Sequence, residues 1–215
     1  MSWITARRRR PAAGYAVLLL GLIVVGVGYA ALTAQGTPAS AASPSVVSAS
    51  TIAEGKNLFE VSCSSCHGVD AGGTFQAPSL VGVGAAAVDF QMSTGRMPAK
   101  DIGPQVPEKP VTFTTQQIHE IAAYIASLGG GPTIPSAAQV SPAGASTALG
   151  QSLFITDCAQ CHNFDGAGGA LTNGKYAPAL NRATPTQIYE AMLTGPEAMP
   201  VFSDTTITPA RRLVM

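Results

Sequence analysis

The chain has 215 residues, a formal net charge of zero, and only 11% charged residues. The charge is unevenly placed: Arg7, Arg8, Arg9 and Arg10 hold four of the twelve cations, no acidic residue precedes Glu54, and from Thr51 onward eight Lys/Arg face twelve Asp/Glu. A mildly acidic body of this kind argues against a nucleic-acid partner and admits a basic or mixed protein partner.

Residues 15–34 (YAVLLLGLIVVGVGYAALTA) are twenty positions without a charge, the length of a membrane span. The arginine run immediately before them predicts a cytoplasmic N-terminus and an exported body. Trp3 fits a position at the cytoplasmic interface. A cleaved signal segment is the alternative, with Ala39-Ser-Ala41 as its processing site, but its apolar region would be long for that role. We therefore expect residues 1–34 to be a retained anchor. Residues 35–50 are small, polar and Pro-containing and read as a flexible linker.

A first domain is expected over 51–130. Thr51 with Glu54 reads as a capping box before the apolar positions Leu58, Phe59 and Val61. The string Cys63-x-x-Cys66-His67 follows, then a glycine-rich loop (DAGGTF), Ala77-Pro-Ser-Leu80, and Met92-Ser-Thr-Gly-Arg-Met-Pro98. Thr114 and Gln117 cap a predicted helix to Leu128, with Ile118, Ile121, Ala122, Ile125 and Leu128 on one stripe. Residues 131–145 read as a second tether.

The remainder, 146–215, repeats the first domain. GKNLFEVSCSSCHG from Gly55 aligns with GQSLFITDCAQCHN from Gly150, APSL with APAL at Ala177, and MSTGRMP with MLTGPEAMP at Met192. Its glycine-rich loop is DGAGGALTNG, and in both copies such glycines let backbone pass close to a flat ligand. Thr184, Pro185 and Gln187 are the start signals of a helix through QIYEAMLTG. The expected architecture is all-α: two tandem helical domains behind one N-terminal transmembrane helix.

Cys-x-x-Cys-His is the attachment pattern of a c-type haem, and its two copies use all four cysteines. Cys63 and Cys66 in one domain, and Cys158 and Cys161 in the other, are spaced to form thioethers to the vinyl groups of one porphyrin each. His67 and His162 then stand as proximal iron ligands. A four-thiolate zinc site leaves those histidines unexplained. Thioredoxin-type redox pairs expect a βαβ context that is absent, and a disulfide across two residues closes a poor loop. For the sixth ligand, His119 lies off the apolar stripe and reads as a solvated helix residue. Met97 and Met199, each followed by proline in a loop, are the favoured axial ligands. Met92 and Met192, inside helices, read as core filler and remain the alternatives. No catalytic triad, phosphate loop or carboxylate pair appears. With two six-coordinate irons the chain is expected to move electrons rather than to catalyse at the haem.

Each half resembles class I cytochrome c, and the strings GVGAAAVDFQMSTGRMPA, GGALTNGKYAPAL and AMLTGPEAMPVFSD resemble the cytochrome cc subunit of the actinobacterial quinol–cytochrome c reductase. The resemblance covers roughly Gly55 to Asp204. It implies two covalently bound haem c groups, with Cys63, Cys66, His67 and Met97 serving one and Cys158, Cys161, His162 and Met199 the other. It also implies a membrane complex with cytochrome b and the Rieske iron–sulfur protein, the haem domains on the extracytoplasmic side, and direct delivery to an aa-type cytochrome oxidase. That family continues into a further helix and a C-terminal span. Here Thr208-Pro209 opens a helix and the sequence ends at Met215, so the second domain is expected to be C-terminally truncated. Competing readings are the dihaem subunit of a cb-type oxidase, a free dihaem carrier, and a dihaem peroxidase with one five-coordinate iron.

Overall fold

A computed structural model describes residues 11–33, 47–101, 103 and 105–212. The arginine run, Trp3, the Ala39–Ala41 site, most of the 35–50 linker and the last three residues lie outside these. The chain forms two compact units, 1–46 and 47–215.

In the first unit, α1 runs Pro11–Thr33, 23 residues. At 1.5 Å per residue that is about 35 Å. Its described side chains from Tyr15 to Tyr29 are apolar on every side and largely exposed. Among the described residues, no helix is long and apolar enough to cross a membrane; the helical backbone of α1 extends beyond that apolar stretch at both ends.

In the second unit, α2 spans Ala49–Ser62. Its cap is Ser48, whose hydroxyl accepts from the Thr51 amide at 3.1 Å. The expected Thr51 cap is therefore corrected: the helix starts three residues earlier, because Ser48 is extended and Thr51 is already helical. The short α3 (Ser64–His67) carries the first Cys-x-x-Cys-His. Next come α4 (Ala85–Ser93) and α5 (Thr115–Ser127). Thr114 and Gln117 form the reciprocal capping box that the sequence predicts. Ile118, Ile121, Ala122 and Ile125 are buried as predicted, and Tyr124 joins them.

Helix α2 packs on α5 around Phe59 and Tyr124, whose ring centroids lie 5.4 Å apart. A Cβ at Gly55 would fall 1.9 Å from the carbonyl oxygen of Glu120. Only glycine lets these two backbones meet.

The second domain opens with α6 (Thr147–Leu153), widens into a π-helical turn over Phe154–Cys158, and continues as α7 (Ala159–His162). The all-α expectation needs one correction. Gly169–Ala170 (β1) and Tyr176–Ala177 (β2) pair as a small antiparallel hairpin. Helix α8 (Pro185–Thr194) has the predicted Thr184–Gln187 capping box with Pro185 in its first turn. Helix α9 (Pro209–Arg212) returns to the domain through buried Arg212, which donates to Asp204 Oδ1 and to the Phe202 carbonyl, both at 2.6 Å.

The 131–145 stretch is tied down at both ends rather than free. Pro132 O accepts from the Ala86 amide at 3.0 Å, Ile134 packs on the first core, and Gln139 donates to the Tyr189 hydroxyl at 3.4 Å. Between the domains, α4 lies against α8. Glu190 of α8 is fully buried and neither carboxyl oxygen has a hydrogen-bond partner. Burial, then the Asp89 carboxyl across the seam, push Glu190 up to about 9. Asp89 is also buried and lies 3.5 Å from His119 Nε2.

Two predictions follow from this packing. Gly55→Ala should lower the stability of the first domain by about 1–3 kcal/mol through overpacking, read as a lower thermal midpoint. Glu190 holds its proton when folded but titrates near 4.5 in an unfolded chain. Below that value both states are protonated. Above it the folded state alone binds the proton, so stability falls as pH rises, with the full loss reached above about 9. Glu190→Gln removes that slope, and thermal melts across this range should show the variant gaining on the parent as pH rises. Parallel pH profiles would count against it.

Candidate functional site

The same construction appears twice. Cys63 begins a turn in which the His67 amide donates to the Cys63 carbonyl at 3.0 Å, placing both thiols and the imidazole on one short helix. Cys66 and Cys161 are exposed, Cys63 and Cys158 half-buried, and the two histidines buried. The chain then folds back. The Gly73 amide donates to His67 O at 2.8 Å, and Leu80 N to Ala71 O at 2.8 Å. In the second domain Gly168 N donates to His162 O and Leu180 N to Gly166 O, both at 2.8 Å.

This return brings the Pro-x-Leu segment under the histidine. His67 Nδ1 lies 2.8 Å from Pro78 O, and His162 Nδ1 lies 2.9 Å from Pro178 O. A carbonyl only accepts, so Nδ1 carries the proton and Nε2 is left as a bare lone pair. That is the tautomer and orientation a metal ligand needs. The glycines matter here. Gly73 and Gly168 have φ of +88° and +80°, and a Cβ would lie 2.5 Å from Ser79 N in one case and 2.3 Å from Ala177 O in the other. The sequence reading assigned the glycines to close approach of a flat ligand. The structure assigns these two to the approach of the Pro-x-Leu backbone. Pro78 and Pro178 are functional residues that sequence reasoning saw only as a repeated pattern.

The second motif faces a cleft of ≈ 790 Å³, within the range of about 300–1,000 Å³ of cofactor pockets. Cys158, Cys161, His162, Leu180 and Met199 line it. Two thiols, one oriented imidazole and an apolar cleft fit a covalently held haem. Among the described residues no three His, Cys, Asp or Glu side chains converge on a metal position. Burial first, then Cys66, raise the Cys63 thiol to about 11; burial first, then Asp157 and Cys161, do the same to Cys158. Redox-active cysteines are shifted the other way.

Met92 and Met192 are buried in the two cores. Met97 and Met199 are half-buried in loops and pack against those cores. Met199 lines the second cleft with His162, as does the inner Met192. His119 is half-exposed beside Asp89.

Residues 52–129 match the cytochrome c family, and residues 145–212 match the family of cytochrome c oxidase, cbb3-type, subunit III. The cytochrome bc1 complex cytochrome c subunit of Mycobacterium tuberculosis is 46% identical over 204 residues, covering 92% of this chain and 72% of the relative. The chain belongs to this family of cytochrome c subunits. The corresponding subunit of Corynebacterium diphtheriae is 42% identical over 218 residues, covering 94% and 76%. The cbb3-type cytochrome c oxidase subunit CcoP of Rubrivivax gelatinosus is 30% identical over 146 residues, covering 65% and 41%. Cytochrome c domains bind haem c covalently.

One consequence is local. Pro78→Ala keeps the carbonyl and should leave haem attachment unchanged. Gly73→Val, with a branched side chain at positive φ, should displace that carbonyl and lower haem incorporation in the first domain, measured by pyridine haemochrome content per chain.

Proposed function

We propose that the chain is a membrane-anchored dihaem electron carrier within a cytochrome bc1 complex, taking electrons from the Rieske protein beside cytochrome b and passing them to an aa-type oxidase. The observation that carries it is the doubled motif, each copy with its histidine Nδ1 tied to a proline carbonyl. Domains of 51–130 and 146–215 each hold one haem. Cys63 and Cys66, and Cys158 and Cys161, supply the thioethers.

Haem c, when bound, would supply a one-electron couple that needs no bond to a substrate. What this chain's residues do is hold the iron's surroundings nearly constant across that change. Pro78 and Pro178 fix the proximal imidazoles. Met97 and Met199 would supply soft thioether ligands to the iron, consistent with their loop positions and partial burial, whereas Met92 and Met192 are buried in the cores. The mainly apolar lining of the second cleft would shield a bound haem from water and so limit the reorganisation that accompanies each transfer.

Membrane attachment rests on α1. The helix has no polar face, which favours apolar surroundings, and the charge-free sequence 15–34 has the length of a span. The arginine run before it favours an extracytoplasmic position for the haem domains. A retained α1 also weighs against a free carrier. The match to the cbb3-type subunit favours a second reading, an oxidase subunit, but those relatives share less of the chain at lower identity.

The test is spectroscopic and compositional. The purified protein should contain two thioether-linked haems per chain, falling to one in Cys63→Ala/Cys66→Ala and in Cys158→Ala/Cys161→Ala. The reduced parent should not bind carbon monoxide. Met97→Ala and Met199→Ala should each open one iron to it, and Met92→Ala should not. Ready binding by the parent would sink the axial assignment. Co-purification from native membranes with cytochrome b and oxidase subunits tests the place in the chain.

A further inference from the structure

The two repeats differ where α4 and α8 end. The first continues Thr94-Gly95-Arg96-Met97, the second Thr194-Gly195-Pro196-Glu197-Ala198-Met199. Arg96 thus has no counterpart in the second domain. It is 4% exposed, lies over the Phe90 ring at 5.1 Å, and pairs through Nη2 with Glu108 at 2.8 Å. Its Nη1 is buried and has no hydrogen-bond partner. A buried guanidinium donor left unpaired costs about 1–3 kcal/mol or more, so a site of this kind requires an acceptor that the protein alone does not provide.

Where Arg96 lies identifies that acceptor. Although it belongs to the first domain, it lines the cleft that holds Cys158, Cys161 and His162 of the second. The strap after it does so too. Gln105 donates to the Tyr176 carbonyl at 2.9 Å and accepts from the Tyr176 amide at 2.7 Å, and the Val106 amide donates to Glu197 Oε1 at 3.2 Å. Glu108 is half-exposed, so solvent screens its charge. The planar fork of arginine matches a carboxylate, and haem c carries two propionates.

We propose that Arg96 of the first domain binds a propionate of the haem carried by the second, so that the second haem site is completed in trans by its neighbour. This rests on the haem reading of the Cys158–His162 motif. The guanidinium places a fixed positive charge in that cleft, which disfavours the more positive oxidised iron and holds the second haem at a higher potential. Arg182, which lines the same cleft, is exposed and serves as the control for simple loss of a charge.

The experiment is a spectroelectrochemical titration of the full chain, resolving two haem waves, with Met199→His used to identify the wave of the second domain. Arg96→Gln should shift that wave to lower potential and leave the other in place. Arg96→Lys, which keeps the charge and loses the fork, should shift it less. Arg182→Gln should shift it less than Arg96→Gln. Two covalent haems with both waves unmoved in Arg96→Gln overturn the inference while leaving the haem reading intact. Equal shifts from Arg96→Gln and Arg182→Gln also overturn it. Absence of thioether-linked haem at Cys158 and Cys161 in the parent protein overturns both.

Discussion

One hydrogen bond, made once in each domain, organises the rest of the molecule. An imidazole is a usable iron ligand only when one nitrogen is bare and the ring is held still. The Pro78 and Pro178 carbonyls satisfy both conditions by taking the Nδ1 proton of His67 and His162. For a carbonyl eleven or sixteen residues downstream to reach that nitrogen, the chain must turn back tightly. The positive φ at Gly73 and Gly168 and the absent Cβ at each make the return possible. The second return is longer, and the extra residues form the β1–β2 hairpin.

Around that constraint the two domains are stabilised differently. The first has a long closing helix, α5, laid across α2 at Gly55, with a core of nine buried residues. In the second, among the described residues, Met192, Phe202 and Ile207 form a buried cluster. Arg212 stacks 5.6 Å over Tyr189 and ties α9 to Phe202 and Asp204. The 131–145 stretch and the Gln105 strap supply further contacts from outside the domain.

Much of this was legible in the sequence because the signals are local. The caps at Thr114 and Thr184, the stripe on α5, the internal repeat and the doubled motif all act within a few residues. Ser48 was missed because Thr51–Glu54 offers a competing capping pattern three residues later. The 131–145 stretch looked free because its Pro, Gly and Ser content describes a loop without saying what the loop touches. The role of Pro78 and Pro178 depends on a backbone carbonyl, which has no side-chain identity to read. Asp89, Glu190 and Arg96 are ordinary surface residue types whose burial arises only when α4 meets α8.

Gln105 pairs with both backbone groups of Tyr176, occupying with one side chain the position a neighbouring strand would take along β2. In evolutionary terms this contact ends the independence of a duplication. Two copies that each carry a complete motif are free to drift apart while each serves itself. Once a side chain of one copy satisfies the main chain of the other, an insertion in the strap or a register change in the hairpin is deleterious in both. Selection then acts on the pair as one heritable unit, and recombination that exchanges a single copy is disfavoured.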